Sequence, residues 1–136
     1  MKTLLLIIVL PLVVACGSGG NSEADLKKYE ETKEKLAQRE KENPINFLRV
    51  VAEKNKNLIG QTVVKGVVEN TASVASYRDI RLKLLYYKQG KLVENHEEEY
   101  NATIPPNNKM EFKAKYFTPK GTDSIAVFVM KAQVAD

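Results

Sequence analysis

The sequence predicts a mainly β protein, an antiparallel β-sandwich of six or seven strands preceded by one charged helix. Three observations lead to this prediction. An apolar leader runs up to Cys16, a charged stretch without Gly or Pro lies beyond it, and from Pro44 onward apolar and polar residues alternate with a period of two. At 136 residues, the chain has room for one domain of ordinary size and a short appendage.

The N-terminus has the features of a targeting segment. Lys2 is followed by apolar residues at nearly every position from 4 to 14, and the small residue Ala15 precedes the only cysteine of the chain, Cys16. This order is typical of a signal peptide, and the segment is shorter than the roughly 20 apolar residues of a membrane-spanning helix. We therefore expect residues 1–15 to be a signal peptide. A lone cysteine forms no disulfide within its own chain.

The residues around the cysteine narrow this expectation. Val13-Val14-Ala15-Cys16 resembles the bacterial lipobox, which implies a diacylglycerol thioether on Cys16. Two or three acyl chains anchor a protein stably at a membrane. Gly17 stands where enteric lipoproteins of the inner membrane have aspartate, so the resemblance implies the outer membrane, with the periplasmic side favoured over the cell surface. The alternative is a secreted protein with a free thiol.

A tether and a helix are expected next. Residues 16–22 are rich in Gly and Ser, which favours a flexible coil beginning at the lipidated cysteine. Residues 23–43 consist mostly of strong helix formers, Ser22 and Asp25 have capping-box spacing, and Pro44 ends the helix. The apolar face is thin, which favours a solvated spacer that holds the domain off the membrane. A weak oligomerising or partner-binding helix is the alternative.

Residues 44–136 carry the strand pattern. In "KMEFKAKY", residues 109–116, apolar side chains alternate with charged ones. Gln89-Gly90 between two such runs predicts a tight hairpin. Strands are predicted at residues 47–54, 61–70, 78–88, 91–104, 109–116 and 124–132. Antiparallel strands at this spacing favour a sandwich.

Part of this region also matches a family pattern: a strand with Gly and a later Asn, a strand ending in aromatics, a Gly turn, and a Pro turn before a strand with Phe. These places are held by Gly66, Asn70, Asp79, Tyr86, Tyr87, Gly90, Pro106 and Phe112. Residues 63–116 thereby resemble the FxLYD-type and related immunoglobulin-like domains of bacterial, Bacteroidota-like envelope lipoproteins. Lys88 departs from the aspartate that often follows the aromatics. The resemblance implies an immunoglobulin-like β-sandwich and says little about function, because a fold does not supply chemistry.

One cluster of polar residues is a weak candidate metal site. Alternation would place Glu94, His96 and Glu98 on one face of a strand, where they could hold a hard cation or zinc. The competing interpretation is a charged edge strand that prevents other strands from pairing with it, and we expect this one, with no cofactor. The sequence contains no P-loop, zinc-finger spacing or catalytic-triad motif, so we expect a protein that is not an enzyme.

The second candidate is an interaction surface. Arg81, Lys83, Leu85 and Tyr87 would share the face of their strand that points away from the core, and one of Tyr86 and Tyr87 would be buried. The formal charge of +4 is dispersed, which does not favour nucleic acid as a partner. The sequence thus predicts an outer-membrane lipoprotein that binds an envelope protein through its sandwich. The alternative function is binding of a carbohydrate or another small ligand.

Overall fold

The computed structural model describes residues 22–136, which form one helix, a short 3-10 helix and six strands. The helix is α1 (Glu23–Glu42), and the 3-10 helix spans Pro44–Phe47. The strands are β1 (Leu48–Lys56), β2 (Thr62–Asn70), β3 (Ser76–Lys88), β4 (Lys91–Tyr100), β5 (Lys109–Tyr116) and β6 (Ser124–Ala135). The predicted signal peptide, Cys16 and nearly all of the predicted tether lie outside the described residues.

The strands form two antiparallel sheets of three. Sheet A has the order β1-β2-β5 and sheet B the order β4-β3-β6. In the lettering used for immunoglobulin strands, β1, β2 and β5 correspond to strands A, B and E, and β4, β3 and β6 correspond to strands C′, C and F. These two sets of strands pair as in an immunoglobulin sandwich. The predicted fold class, a mainly β antiparallel sandwich with one preceding helix, is confirmed. Within residues 22–136, no helix combines the length and the apolar character needed to cross a membrane.

The core lies between the sheets and follows from the alternation of side chains along each strand. From Ile80 to Tyr86 in β3, every second residue is fully buried, and the intervening residues face outward. The main cluster consists of Val64, Val68, Ile80, Leu82, Leu84, Tyr86, Ile104, Phe112, Ala114 and Val129. Burying a large aliphatic or aromatic side chain contributes about 1.5–3 kcal/mol. Of the two adjacent tyrosines, Tyr86 is fully buried in this cluster, and Tyr87 lies on the outer face of β3.

The fourth strand is shorter than predicted. The alternation predicted a strand up to residue 104, but β4 ends at Tyr100. Ile104 is nonetheless buried, because it forms an isolated bridge with Tyr77 in which each backbone N–H donates to the other's carbonyl, at 2.7 and 3.1 Å. A buried residue outside a continuous strand thus extended the apparent period of two.

Helix α1 begins and ends as predicted, but its start is stabilised differently. The Ser22 hydroxyl donates to the Asp25 carboxylate at 3.0 Å and caps no backbone N–H. The predicted capping-box position is therefore right, whereas the capping hydrogen bonds are not those of a capping box. Residues 23–35 are all exposed, as expected of a spacer.

The last turn of α1 docks on the sandwich through Glu40, which is fully buried. Its carboxylate accepts hydrogen bonds from the backbone N–H groups of Ser73, Val74 and Ala75 at 2.7, 2.9 and 2.9 Å. The Tyr77 hydroxyl donates to the Glu40 carbonyl at 2.8 Å. Successive backbone N–H groups form a concave site for an anion. Burial raises the pKa of Glu40, but the three N–H donors outweigh it and hold the pKa below its ordinary value.

Candidate interaction surface

The outer face of sheet B contains the four residues predicted to form an interaction surface. Arg81, Lys83, Leu85 and Tyr87 are all half-buried on β3, the central strand, and they alternate with the core residues of that strand. Their placement on one face agrees with the alternation in the sequence. Their role in binding stays a prediction.

The polar half of this face is held together by ion pairs between β3 and β4. Arg81 lies opposite Glu99, with a nitrogen–oxygen distance of 2.9 Å, and Lys83 lies opposite Glu97 at 3.8 Å. All four side chains are partly exposed to solvent, so water screens both pairs and their contribution to stability is small. These pairs form a charged border beside the apolar residues.

The other half of the face is an apolar patch, defined here as Leu85, Tyr87, Leu92, Ala126 and Phe128. In the strand register, Leu85 pairs with Ala126, Tyr87 with Leu92, and Phe128 lies next to Lys83. Leu92 is 49% exposed and Phe128 is 44% exposed. Contiguous exposed apolar side chains bordered by polar ones are typical of sites that bind another molecule.

A β-bulge brings Leu92 into the patch. Tyr86 pairs with Glu94 but Tyr87 pairs with Leu92, so Val93 is an extra residue in β4. An extra residue reverses the alternation beyond it. Without the bulge, Leu92 would point to the same side as Glu94, that is, between the sheets.

Sequence reasoning missed three residues of the patch: Leu92, Ala126 and Phe128. The bulge has no clear signal in the sequence. For the other two a signal exists, because Ile125, Val127 and Val129 occupy the inner face of β6, which forces the apolar residues between them outward. A strand that is apolar on both faces indicates a covered or binding surface.

The candidate metal residues Glu94, His96 and Glu98 lie together on the inner side of β4, as alternation predicted. The His96 ring stacks on the ring of Tyr116 of β5, with centroids 3.7 Å apart and planes 6° apart. The Nε2 of His96 contacts the Glu94 carboxylate, and the Tyr116 hydroxyl donates to the Glu98 carboxylate. Because β4 and β5 belong to different sheets, this stack closes one side of the sandwich.

These contacts give the candidate metal donors partners within the protein. In residues 22–136, no group of three or more His, Cys, Asp or Glu side chains is arranged to hold a metal ion. Burial, then the charges of Glu94 and Glu98, raise the pKa of Tyr86 to about 12. Burial and Glu98 also raise the pKa of Tyr100 and of Tyr116. The phenols therefore stay protonated at neutral pH, and the Tyr116 hydroxyl donates its proton to the Glu98 carboxylate, which is a structural use of the cluster.

A hollow beside Gly66 is a feature that the sequence did not predict. It has a volume of about 700 Å³, within the range of small-ligand sites. It is lined by Val51, Ala52, Glu53, Lys65, Gly66, Val67, Tyr100, Glu111, Phe112 and Lys113. A Cβ atom at Gly66 would lie 2.3 Å from the Val51 carbonyl oxygen and 2.7 Å from the Phe112 ring, so only glycine fits there.

Comparisons with known proteins leave the family of the chain open. No protein-family model matches it, and no curated protein matches it. Among solved structures it is similar to one described as "X-ray structure of Northeast Structural Genomics Consortium target SoR45", at 15% sequence identity and a TM-score of 0.40. The match covers 64% of this chain and 84% of that chain. At this level the likeness adds nothing to what the strand order establishes: the chain is an antiparallel β-sandwich.

Proposed function

We propose that this protein is a lipid-anchored, non-enzymatic lipoprotein whose β-sandwich acts as a protein-interaction or assembly module on the periplasmic side of the outer membrane. The observation that carries the proposal is the apolar patch on the outer face of sheet B. It contains the aromatic residues Tyr87 and Phe128 on either side of Leu85 and Ala126, and ion pairs border it on one side. An aromatic and aliphatic centre with a polar rim is the common anatomy of protein–protein interfaces.

The anchoring part of the proposal is supported by the sequence around Cys16 and by α1. The resemblance to the lipobox supplies the attachment point. The helix has 20 residues and therefore spans about 30 Å. Because Glu40 fixes its C-terminal turn to the sandwich, the helix holds the domain at a distance from its own N-terminus. Membership of the FxLYD-like group of envelope lipoproteins is part of this hypothesis.

The patch is tested by site-specific crosslinking in native envelopes. A photoreactive residue at position 128 should capture a defined envelope protein, because this aromatic position of the patch is exposed. The matched control carries the same residue at position 109, which is also exposed but lies on the outer face of sheet A, outside the hollow beside Gly66. Phe128→Ser should abolish a complex captured from a second patch position, 92. Equal capture from positions 128 and 109 would remove the patch from consideration.

The anchor is tested separately by fractionation. Cys16→Ala should move the folded protein from the membrane to the soluble fraction, because the acyl chains would be missing. Ser18→Ala is the control and should stay in the membrane fraction. Undiminished membrane association of Cys16→Ala would refute lipid anchoring at this residue, and digestion of the domain by protease added to intact cells would refute the periplasmic orientation.

The hollow beside Gly66 favours a second candidate function, binding of a carbohydrate or another small ligand. Tyr100 and Phe112 supply aromatic surface, and Glu53 and Lys65 supply polar groups at its edge. A panel of soluble sugars and metabolites tested by ligand-detected NMR would reveal a ligand. Binding that Val51→Trp abolishes and Phe128→Ser preserves would favour this function over the interaction module.

A further inference from the structure

Three loops meet at the end of the sandwich opposite to the α1 dock. They are residues 57–61 between β1 and β2, residues 89–90 between β3 and β4, and residues 117–123 between β5 and β6. The hydroxyls of Thr62 and Thr118 lie 2.6 Å apart and join the first loop to the third. The backbone N–H of Asp123 donates to the Tyr87 carbonyl at 2.9 Å and joins the third loop to the hairpin. We name this end the basic tip.

The basic tip carries charge of almost one sign. Its exposed cationic residues are Lys56, Lys88, Lys91, Lys115 and Lys120. Within residues 54–62, 86–92 and 115–125 the only acidic residue is Asp123. The Asp123 carboxylate accepts hydrogen bonds from the Gln89 backbone N–H at 2.8 Å and from the Ser124 hydroxyl at 3.1 Å, and it lies close enough to Lys54 to interact with its charge. The remaining lysines of the tip face solvent, and the three residue ranges named above contain no other acidic residue that could pair with them.

The same tip exposes its largest apolar side chains outward. Leu58 is fully exposed, Ile59 is 68% exposed and Phe117 is 66% exposed. They lie in two of the loops, whereas apolar residues of this size in the strands are mostly packed in the core. Exposed apolar side chains surrounded by lysines are the arrangement by which proteins lie in the interface of an anionic membrane.

Several polar groups of the first loop form hydrogen bonds within the loop and do not depend on water for a partner. The Asn57 side-chain oxygen accepts hydrogen bonds from the backbone N–H groups of Ile59 at 3.2 Å and Gln61 at 2.9 Å. The Asn57 carbonyl accepts from the N–H of Gly60 at 3.1 Å, and the Asn57 side-chain amide donates to Gln61 at 2.9 Å. The free-energy penalty for leaving water is smaller for polar groups that already have hydrogen-bond partners within the protein. This loop can therefore enter a dehydrated environment with these hydrogen bonds intact.

From this geometry we infer that the basic tip docks on an anionic phospholipid surface, with Leu58, Ile59 and Phe117 entering the headgroup region and the lysines lying against the lipid phosphates. A bilayer suits the tip better than a protein partner does, because Leu58 protrudes and lysines of one sign surround it. A bilayer accommodates a protrusion without a matching pocket. This contact uses residues of the sandwich alone and requires no acyl chain on Cys16.

The test uses the chain from residue 16 onward with Cys16→Ser, so that acyl chains contribute nothing. All buried core residues of the described structure lie within this span. Cosedimentation is measured with vesicles of phosphatidylcholine alone and of phosphatidylcholine mixed with phosphatidylglycerol. Binding should require the anionic lipid and should weaken as salt is raised, because salt screens the lysines.

Two variants examine the two components of the tip. Lys56→Gln with Lys120→Gln should lower the partition coefficient about tenfold or more, since each lysine near an anionic surface contributes about a fivefold factor. Leu58→Ser with Ile59→Ser should abolish detectable binding at moderate salt. The matched controls are Lys27→Gln with Lys28→Gln and Leu26→Ser on α1, which should bind like the parent. Circular dichroism and urea midpoints confirm that all variants fold.

The opposing outcomes are distinct. A parent chain that ignores anionic vesicles overturns the inference, as does binding that the control variants reduce as much as the tip variants do. Capture of a protein through a photoreactive residue at position 58, without vesicle binding, would assign the tip to a protein partner instead. Failure of lipid anchoring at Cys16 would leave the vesicle result unchanged, so this inference and the proposed function can fail separately.

Discussion

The backbone N–H of Ala75 donates a 2.9 Å hydrogen bond to the carboxylate of Glu40, a residue 35 positions earlier in the chain. The helix is exposed along most of its length, and this contact joins its last turn to the loop between β2 and β3. Glu40 lies on a helix with a thin apolar face, and the structure uses this charged residue for docking on the sandwich.

Glu40→Ala should lower the free energy of unfolding by about 3 kcal/mol, because three backbone N–H groups lose a charged acceptor. Urea denaturation measures the change. Glu34→Ala is the matched control, because Glu34 is exposed on the same helix, and it should stay within about 0.5 kcal/mol of the parent. Equal losses for the two variants would show that the dock contributes no stability of its own.

The stabilisation by Glu40 should also depend on pH. The pKa of Glu40 is lower in the folded protein than its ordinary value of 4.5. The contribution is therefore complete above the unfolded pKa and is lost as pH falls through the folded pKa. The difference in unfolding free energy between the parent and Glu40→Gln should be constant at neutral pH and should shrink below about pH 4.5. A difference that grows on acidification would contradict the lowered pKa.

Two buried tyrosines should respond oppositely to removal of the hydroxyl. The Tyr77 hydroxyl donates to the Glu40 carbonyl, so Tyr77→Phe should lose about 1 kcal/mol. The Tyr86 hydroxyl is buried without a hydrogen-bond partner, so Tyr86→Phe should be neutral or should stabilise by up to about 1 kcal/mol. Thermal and urea unfolding of both variants give the comparison. A larger loss for Tyr86→Phe than for Tyr77→Phe would show that the Tyr86 hydroxyl has a partner in solution.

Gly66→Ala should be among the most damaging single-methyl additions in the chain. The added carbon would lie 2.3 Å from the Val51 carbonyl oxygen and 2.7 Å from the Phe112 ring, and backbone on one side cannot move away freely. We expect a loss of about 2–3 kcal/mol, as for overpacked cores. Lys65→Ala, at the exposed neighbouring position, serves as the control. Removing the ring with Phe112→Leu should not rescue Gly66→Ala, since the clash with the carbonyl oxygen remains.

The strands were predictable because most of them bury one face along most of their length, which gives the residue types a period of two. The sequence "KMEFKAKY" corresponds residue for residue to β5, Lys109–Tyr116. The position of Tyr86 and Tyr87 on opposite faces follows from the same rule. The outer face with Arg81 and Leu85 could therefore be assigned from the alternation of residue types alone.

The remaining features arise where residues meet that are distant in sequence. The bulge that turns Leu92 outward depends on the pairing of β3 with β4. The dock of Glu40 depends on the conformation of residues 73–75, whose N–H groups carry no sequence signal. No single loop of the basic tip has a sequence that indicates a binding site. Only the return of β5 beside β2 brings Phe117 to the same end as Leu58.

Glu40 fixes the last turn of α1 to the sandwich. The direction in which any earlier residue of the helix points therefore depends on the number of residues between it and Glu40. Each residue inserted before Glu40 would turn everything N-terminal to it by about 100° and shift it by about 1.5 Å. The apolar patch and the basic tip therefore have a defined orientation about the axis of α1 relative to Ser22, the N-cap residue of the helix. Inserting a few residues into α1 would re-aim both surfaces without altering either of them.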